Sequence, residues 1–313
     1  MTGAAIMVVA LGIDALIGWP PRLYALIGHP VTWIGALIGA LDRWINLDGG
    51  DERARRVAGV VAALVVIGTA AAMAFLVASV LPDGWPGVVL AGVLAWPLIA
   101  MRSLREHVEA VAAPLAAGNL DAARRAVAMI VGRDPNQLDQ AGVARATLES
   151  LAENTSDGIV APVFWGVIFG LPGIAAYKAI NTLDSMIGHR SERYAAFGWA
   201  SARIDDVVNL IPARLTGLLF AAVSTRPREA LTTMWRDAGH HRSPNAGWPE
   251  AALAGALDIR LSGPRVYGDR VAEEPWVNPG AADPMPADIG RALKLFQFVM
   301  LALTLIAAVC ALI

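Results

Sequence analysis

VAGVVAALVVIGTAAAMAFLVASVL, residues Val57–Leu81, decides the fold class of this 313-residue chain. The run holds about 25 residues without a charge, and a helix rising 1.5 Å per residue needs roughly 20 apolar residues to cross a bilayer core. Arg53, Arg55 and Arg56 precede it and Pro82-Asp83-Gly84-Trp85 follows. Gly87–Met101 is a shorter apolar run, closed by Arg102 and Arg105. The two read as a hairpin with arginines at both open ends. The positive-inside bias puts those ends in the cytoplasm and the Asp83 turn outside.

Apolar runs continue on both sides. Ala4–Ile17 is interrupted by Asp14 and followed by Trp19, Trp33 and Trp44, which suit the headgroup level, so this region reads as one span plus an interfacial helix. Gly158–Ala176 is apolar but holds Pro162 and Pro172, so it reads as a re-entrant or broken segment, and Val207–Val223 runs around Pro212 and Arg214. Leu293–Ile313 reads as a final span. The expected fold is all-α: a polytopic integral membrane protein with about four to seven spans or re-entrant segments. It forms a single membrane-embedded unit over residues 1–313, with polar inserts at about 102–157 and 224–292. Gly118-Asn119-Leu120 and the Gly132–Asn136 stretch divide the first insert into helices, and the second reads as irregular loop with short helices.

Composition agrees. The chain is 56% hydrophobic and 17% charged, with mean hydropathy +0.52, against about 25% charged for a soluble domain. A net charge of −2 offers no nucleic-acid surface. The lone Cys310 excludes a disulfide framework and a thiolate metal cluster. Met1–Ala5 lacks Lys and Arg, so no cleavable leader is expected. No phosphate-binding glycine loop, dinucleotide fingerprint, nucleophile elbow or zinc-protease motif occurs.

Ionisable groups near spans are costly and therefore candidates for function. Four clusters stand out. In the first, Glu149 and Glu153 are four residues apart, and Asn154–Gly158 reads as a helix end turning into a loop beside Asp157. Oxygen-rich groups of this kind suit Mg²⁺; the plain alternative is a solvated helix end. In the second, Lys178, Asn181 and Ser185 line one helix face, with Asp184 one step round and Gly188-His189-Arg190 following. Lys as a point charge and Arg as a fork suit phosphate; an amphipathic interfacial helix is the alternative. In the third, Asp205, Asp206 and Asn209 enter an apolar run that also carries Arg214. Adjacent aspartates repel unless a cation neutralises them, although a charge pair at a helix start would also sit there. The fourth is His240-His241 and Ser243–Glu250, where Pro249-Glu250 opens a helix whose N-terminus suits an anion. Adjacent histidines make a poor metal pair.

Taken in order, these residues resemble one family. The motifs are Glu149-Ser-x-x-Glu153-Asn-x-Ser-Asp157-Gly158, Tyr177-Lys178-x-x-Asn181-Thr182-x-Asp184-Ser185-Met186-x-Gly188, Asp205-Asp206-x-x-Asn209-x-x-Pro212-x-Arg214 and Ser243-Pro-Asn245-x-Gly-x-Pro-Glu250. They are similar to those of the membrane-bound adenosylcobinamide-phosphate synthases of cobalamin biosynthesis. Asp14-x-x-x-Gly18-x-Pro20 and His29-Pro30-Val31 fit as well, and the likeness covers nearly the whole chain. Trp19 departs from it, standing where an acidic residue is expected.

The resemblance implies an ATP-dependent amide ligase that joins adenosylcobyric acid to (R)-1-aminopropan-2-ol O-phosphate, or to threonine phosphate, with Mg²⁺ as cofactor. The expected catalytic set is Glu149, Glu153, Lys178, Asp184 and Arg190, with Asp184 or Glu149 as base. Asp157, Asp205, Asp206 and Asn209 are expected at the metal, helped by Glu153 and Asn154. His189 and Arg214, with Lys178 and Arg190, are expected on phosphates; Asn181, Ser185, Ser243, Asn245 and Glu250 would orient substrates. Expected partners are the two substrates, the lipid bilayer, and either a second copy or a corrinoid-pathway membrane complex, without nucleic acid. The expected place is the inner membrane, with the site facing the cytoplasm. Two other classes fit parts of the pattern. A prenyl- or phospho-transferase would need a second aspartate motif in another span, and a transporter would need paired inverted halves; neither is evident.

Overall fold

The structure is a computed structural model that describes residues 2–47, 51–131, 134–189, 191–267, 270–272 and 274–313. Among them the helices run α1 (Gly3–Ile17), α2 (Pro21–Ile27), α3 (Pro30–Ile45), α4 (Glu52–Val80), α5 (Trp85–Ala95), α6 (Met101–Ala116) and α7 (Leu120–Val127). They continue as α8 (Gln140–Thr155), α9 (Ala161–Leu183), α10 (Trp199–Val208), α11 (Leu210–Val223), α12 (Pro227–Asp237), α13 (Gly247–Leu257) and α14 (Pro286–Leu312). Five helical stretches are long and apolar enough to cross a membrane: Pro21–Ile45, Glu52–Val80, Trp85–Ala116, Gln140–Gly188 and Pro286–Leu312. A sixth arises if α10 and α11, broken at Asn209, count as one. The expected helical membrane fold is therefore present.

The chain separates into two compact units. The first comprises Met1–Ala100, Ala161–Asn209 and Ile306–Ile313. Within it α1 packs on α5 and α9. The approach is close because glycines line it: a Cβ at Gly92 would collide with Val9, and one at Gly166 with Met7. Small residues at such crossings are the usual route to tight helix packing in lipid, where no hydrophobic force draws helices together. Ile38, Ala62, Ala63, Val66, Ala179, Leu183, Ile187 and Phe197 form a further core between α3, α4 and α9.

A local device turns the chain repeatedly. Gly18, Gly28, Gly84 and Gly170 all have φ between +62° and +75° and ψ near −150°, and each stands two residues before a proline. Proline pushes the residue before it out of the helical region, and glycine supplies a backbone conformation that side chains disfavour. A helix stops and the next starts in a new direction. At Gly170 this divides α9 into two halves that fold against each other, since a Cβ on Gly173 would strike the Trp165 carbonyl and Phe169. The break expected in Gly158–Ala176 is present, with Pro172 as its proline; Pro162 lies in the first turn of α9.

The second unit comprises Met101–Val160 and Leu210–Leu305, and so holds both polar inserts. Here α11, α12 and α13 pack together, with Gly217 against Met234 and the Trp248 backbone, and Gly255 against Glu229 and Ala230. Asn154–Gly158 does not form the expected loop. The Asn154 amide donates to the Ser150 carbonyl at 2.9 Å and the Thr155 hydroxyl to the Leu151 carbonyl at 2.6 Å. Side chains that usually end a helix are tied back to it, and the chain continues through a π-helical turn, Ser156–Val160, into α9. The second insert is more ordered than expected: beyond α12 and α13 it forms two small antiparallel pairs, Leu261–Ser262 with Trp276–Val277 and Arg265–Tyr267 with Arg270–Ala272.

Among the described residues of this insert three non-glycines have positive φ: Asp258, Ser262 and Asn278. Each is pinned. The Arg226 guanidinium holds Asp258 at 2.6 Å. The Ser262 N–H donates to Glu149 at 2.8 Å, and the Asn278 N–H to Asp237 at 2.7 Å. Such backbone conformations cost about 1–3 kcal/mol each and persist only where their surroundings fix them.

Candidate functional site

In the first unit, the second half of α9 leads into a π-helical turn, Asp184–Gly188. Lys178 is buried on α9, near enough to His29 for their charges to interact. Among the described residues, Asp206 and His189 are the charged groups that act most strongly on Asp184. The Asp184 carboxylate lies over Gly188, where a Cβ would displace it. Ser185 is exposed and donates its hydroxyl to the Asn181 carbonyl at 2.8 Å. A π-turn adds a residue to the helical repeat and re-aims the side chains after it, which is why such turns recur at functional positions.

Asn209 ties this region together. Its amide oxygen accepts from the Tyr177 hydroxyl at 2.9 Å and its amide nitrogen donates to Asp205 at 3.0 Å. The carbonyl of Val208, at the end of α10, accepts from the Trp165 indole at 3.2 Å. Asp206 is met instead by Arg203, at 2.9 Å. Arg190 lies outside the described residues.

In the second unit, Glu149 is buried and accepts the Ser262 N–H, while Glu153 and Asn154 are exposed and Asp157 is half-buried in its π-turn. Glu149 and Glu153 occupy the same helix, but one faces the protein interior and the other does not. Arg214 reaches back to the Leu210 carbonyl at 2.8 Å and lies 4.3 Å above the Trp248 ring. The Ser243 hydroxyl accepts the N–H groups of Asn245 and Ala246 just before α13. The Ser243 N–H donates to His241 Nδ1 at 3.0 Å, which leaves the ring proton on Nε2, 3.7 Å from the buried Glu250 carboxylate.

A rigid frame surrounds these groups. Arg236 grips Asp237 through two bonds of 2.7 Å. Burial pushes the Asp237 carboxyl up, but Arg236 and the Asn278 N–H outweigh it and hold the group below the usual carboxylate range. Asp283 is also held low, first by Arg260 and then by Arg145, with burial opposing. Both guanidiniums stack on Trp276, at 4.3 and 4.7 Å.

Among the described residues no three His, Cys, Asp or Glu side chains gather around one point. An all-protein metal cage is therefore not formed. Asp205 and Asp206 adjoin on α10, and two carboxylates complemented by further oxygens and water are a usual setting of Mg²⁺. Such oxygen donors fit a divalent cation that takes its remaining ligands from outside the protein.

Four residues emerge that the sequence did not single out for a role: Tyr177, His241, and the pair Tyr194 and Asp42, in which the hydroxyl donates to the carboxylate at 3.2 Å with the Tyr194 ring 5.0 Å from that of His189. Tyr177 stood within a recognisable motif, and His241 was set aside as half of a poor metal pair. Asp42 had as its only signal a carboxylate near the end of an apolar helix, and Tyr194 had none.

Comparison with known proteins follows the same lines. Residues 7–296 match the family described as CobD/Cbib protein. A "Cobalamin biosynthesis protein CobD" of Rhodobacter capsulatus is 65% identical over 306 residues, covering 98% of this chain and 96% of its own length. Proteins of the same name from a Sinorhizobium species and Brucella suis are 48% and 46% identical, covering 93% and 96% of this chain and 93% and 94% of theirs. No solved structure matches. The sequence match runs from α1 to α14 and takes in all four motif clusters, so the chain belongs to the CobD/Cbib protein family.

Proposed function

We propose that this membrane protein acts in cobalamin biosynthesis as the ligase that joins adenosylcobyric acid to an amino-alcohol phosphate. Membership of the family supports the pathway. The observation that carries the reaction is the set in the first unit: a buried Lys178 and, within two turns, Asp184 beside Asp206 and His189. Buried ammonium and paired carboxylates suit phosphate transfer better than they suit a lipid-facing helix.

A carboxylate and an ammonium ion do not condense in water without activation. A carboxylate oxygen of the corrinoid acid attacks the γ-phosphorus of ATP and ADP leaves. The amine nitrogen, having lost a proton, attacks the acyl carbon of the resulting acyl phosphate. Phosphate leaves and the amide forms as the nitrogen loses a second proton. In the first unit Lys178 steadies phosphoryl charge and His189 contacts the phosphate of the amine substrate, and Arg214 contacts phosphate in the second. Asp184, whose carboxylate lies over Gly188, takes the amine proton, with Glu149 as the alternative base. Asp205 and Asp206 are the carboxylates of the first unit that would hold Mg²⁺, and Asp157 is the candidate carboxylate of the second; the ion when bound would neutralise charge on phosphates. In the first unit Asn181 and Ser185 orient substrate, and in the second Ser243, Asn245 and Glu250 do so. ATP supplies the energy, so the site faces the cytoplasm.

The test uses purified protein in detergent with adenosylcobyric acid, aminopropanol phosphate, ATP and Mg²⁺. Product mass and ADP are followed together, and coupled appearance of both is expected. If folded protein yields neither with this amine nor with threonine phosphate, the ligase reading fails and a phospho- or prenyl-transferase reading takes its place.

A further inference from the structure

The loop that follows the π-turn is gripped from elements far away in sequence. Asp42, near the end of α3, accepts from Arg193 Nη2 at 3.2 Å, from Arg193 Nε at 3.4 Å and from the Tyr194 hydroxyl at 3.2 Å, all through one carboxylate oxygen. Its other oxygen accepts the Asn46 amide at 2.8 Å. The Arg193 carbonyl is held as well, by the guanidinium of Arg55 and more loosely by Asn46 at 3.5 Å. Arg55 in turn donates to the Asn46 amide oxygen at 3.1 Å. Tyr194 passes the constraint on, for its ring stands edge-on to the His189 imidazole with centroids 5.0 Å apart. Every member of this cluster lies in the first unit.

The cluster is more than a surface ion pair. The Asp42 side chain is 13% exposed and Asn46 is 2% exposed, so the anchoring end of the network is largely withdrawn from water, while the Arg193 side chain stays 39% exposed. It joins residues about 150 positions apart, across the ends of two helices. His189 itself is exposed at the end of the π-turn, and Tyr194 is its one ring neighbour among the described residues. A side chain that must meet a phosphate from an exposed position gains affinity when its rotamer is fixed in advance.

We propose that Asp42 is a positioning residue: through Tyr194 it fixes the His189 imidazole for the phosphate of the amine substrate. The proposal rests on the ligase reading for the identity of that substrate. It requires Asp42 to act on amine-phosphate binding and not on the chemical step.

The experiment compares wild type with Asp42→Asn, Asp42→Glu and Tyr194→Phe. Asp42→Asn is expected to raise KM for aminopropanol phosphate about tenfold, the effect of losing a charge-assisted bond, with kcat and KM for ATP within about twofold. Asp42→Glu, which keeps the charge, should recover part of the loss, and Tyr194→Phe should raise the same KM alone. Uniform loss of kcat and of both affinities would make the cluster merely structural and overturn the proposal. A second readout needs no turnover. Cys310 is the chain's only cysteine, so Glu192→Cys in a Cys310→Ser background places one thiol on the loop at an exposed position. Aminopropanol phosphate is expected to slow maleimide labelling of that thiol, and Asp42→Asn to abolish the protection. Protection that survives Asp42→Asn, or that is absent from the Asp42 protein, overturns the proposal. Protection without product in any assay would instead remove the ligase reading and leave the positioning role standing.

Discussion

The Tyr177 hydroxyl donates to the Asn209 amide oxygen across 32 residues of sequence, and the nitrogen of that same amide donates to Asp205. The bond fixes which way the Asn209 amide faces, because only its oxygen can accept from the phenol. It thereby holds Asp205 in place at the end of α10. Tyr177→Phe leaves a buried amide oxygen without this donor, at a cost of about 1–3 kcal/mol. The variant should unfold at lower temperature in detergent and turn over at least about tenfold more slowly, as the Asn209 amide that holds Asp205 is freed to turn. Undiminished turnover in a destabilised variant would show that Asp205 needs no such support.

Glu149 offers a separation of roles. Its carboxylate caps the Ser262 N–H at a positive-φ position. Glu149→Gln keeps a carbonyl oxygen for that bond but cannot serve as a base. Glu149→Ala removes both and leaves a buried N–H unmatched, at about 1–3 kcal/mol. If Glu149 is structural, the Gln variant keeps wild-type turnover and only the Ala variant loses stability. If it is the base, Gln folds normally and is inactive. Turnover and thermal unfolding on the same preparations decide between them.

Gly170 should resist substitution. Its φ of 64° and ψ of −148° lie where side chains are scarcely tolerated. Gly170→Ala is expected to cost about 1–3 kcal/mol and to lower the yield of monodisperse protein extracted from membranes. Gly12→Ala is the control, since nothing lies within 4 Å of a Cβ there. Equal yields from the two variants would mean the reversal in α9 does not depend on Gly170.

Acid should loosen the second unit through Asp283 and Asp237. Both carboxyls are held below the usual range by arginines, so they bind protons less readily folded than unfolded. Their contribution is complete above the ordinary aspartate range, near pH 4, and disappears as pH falls through the lowered native values. Unfolding temperature measured from pH 7 down to pH 3 should drop at the acid end, and Asp283→Asn should flatten part of that drop. An unchanged profile in Asp283→Asn would assign the acid sensitivity elsewhere.

Much of this was legible along the chain. Long uncharged runs such as Val57–Leu81 announce spans because hydrocarbon accepts no unpaired backbone group and few charges. The glycine-x-proline steps were equally open to reading, since each rule concerns residues two apart, yet only the α9 break was expected. The site was legible as motif membership and not as geometry. Asn154–Gly158 looked like a helix end, and nothing local says that Asn154 and Thr155 will bond backwards and let the chain run on through a π-turn.

What the sequence determined by itself was therefore what depends on short range: hydrophobic length, helix punctuation, the order of the polar clusters and, through them, the family. Tertiary structure alone decided which polar groups meet. Asp42 holds Arg193 and Tyr194, Glu149 holds Ser262, and Tyr177 holds Asn209. In each pair the partners are from 32 to about 150 residues apart, and buried polar groups must be matched by whatever the packed helices bring within about 3 Å. That matching is a property of the packing, and no periodicity along the chain encodes it.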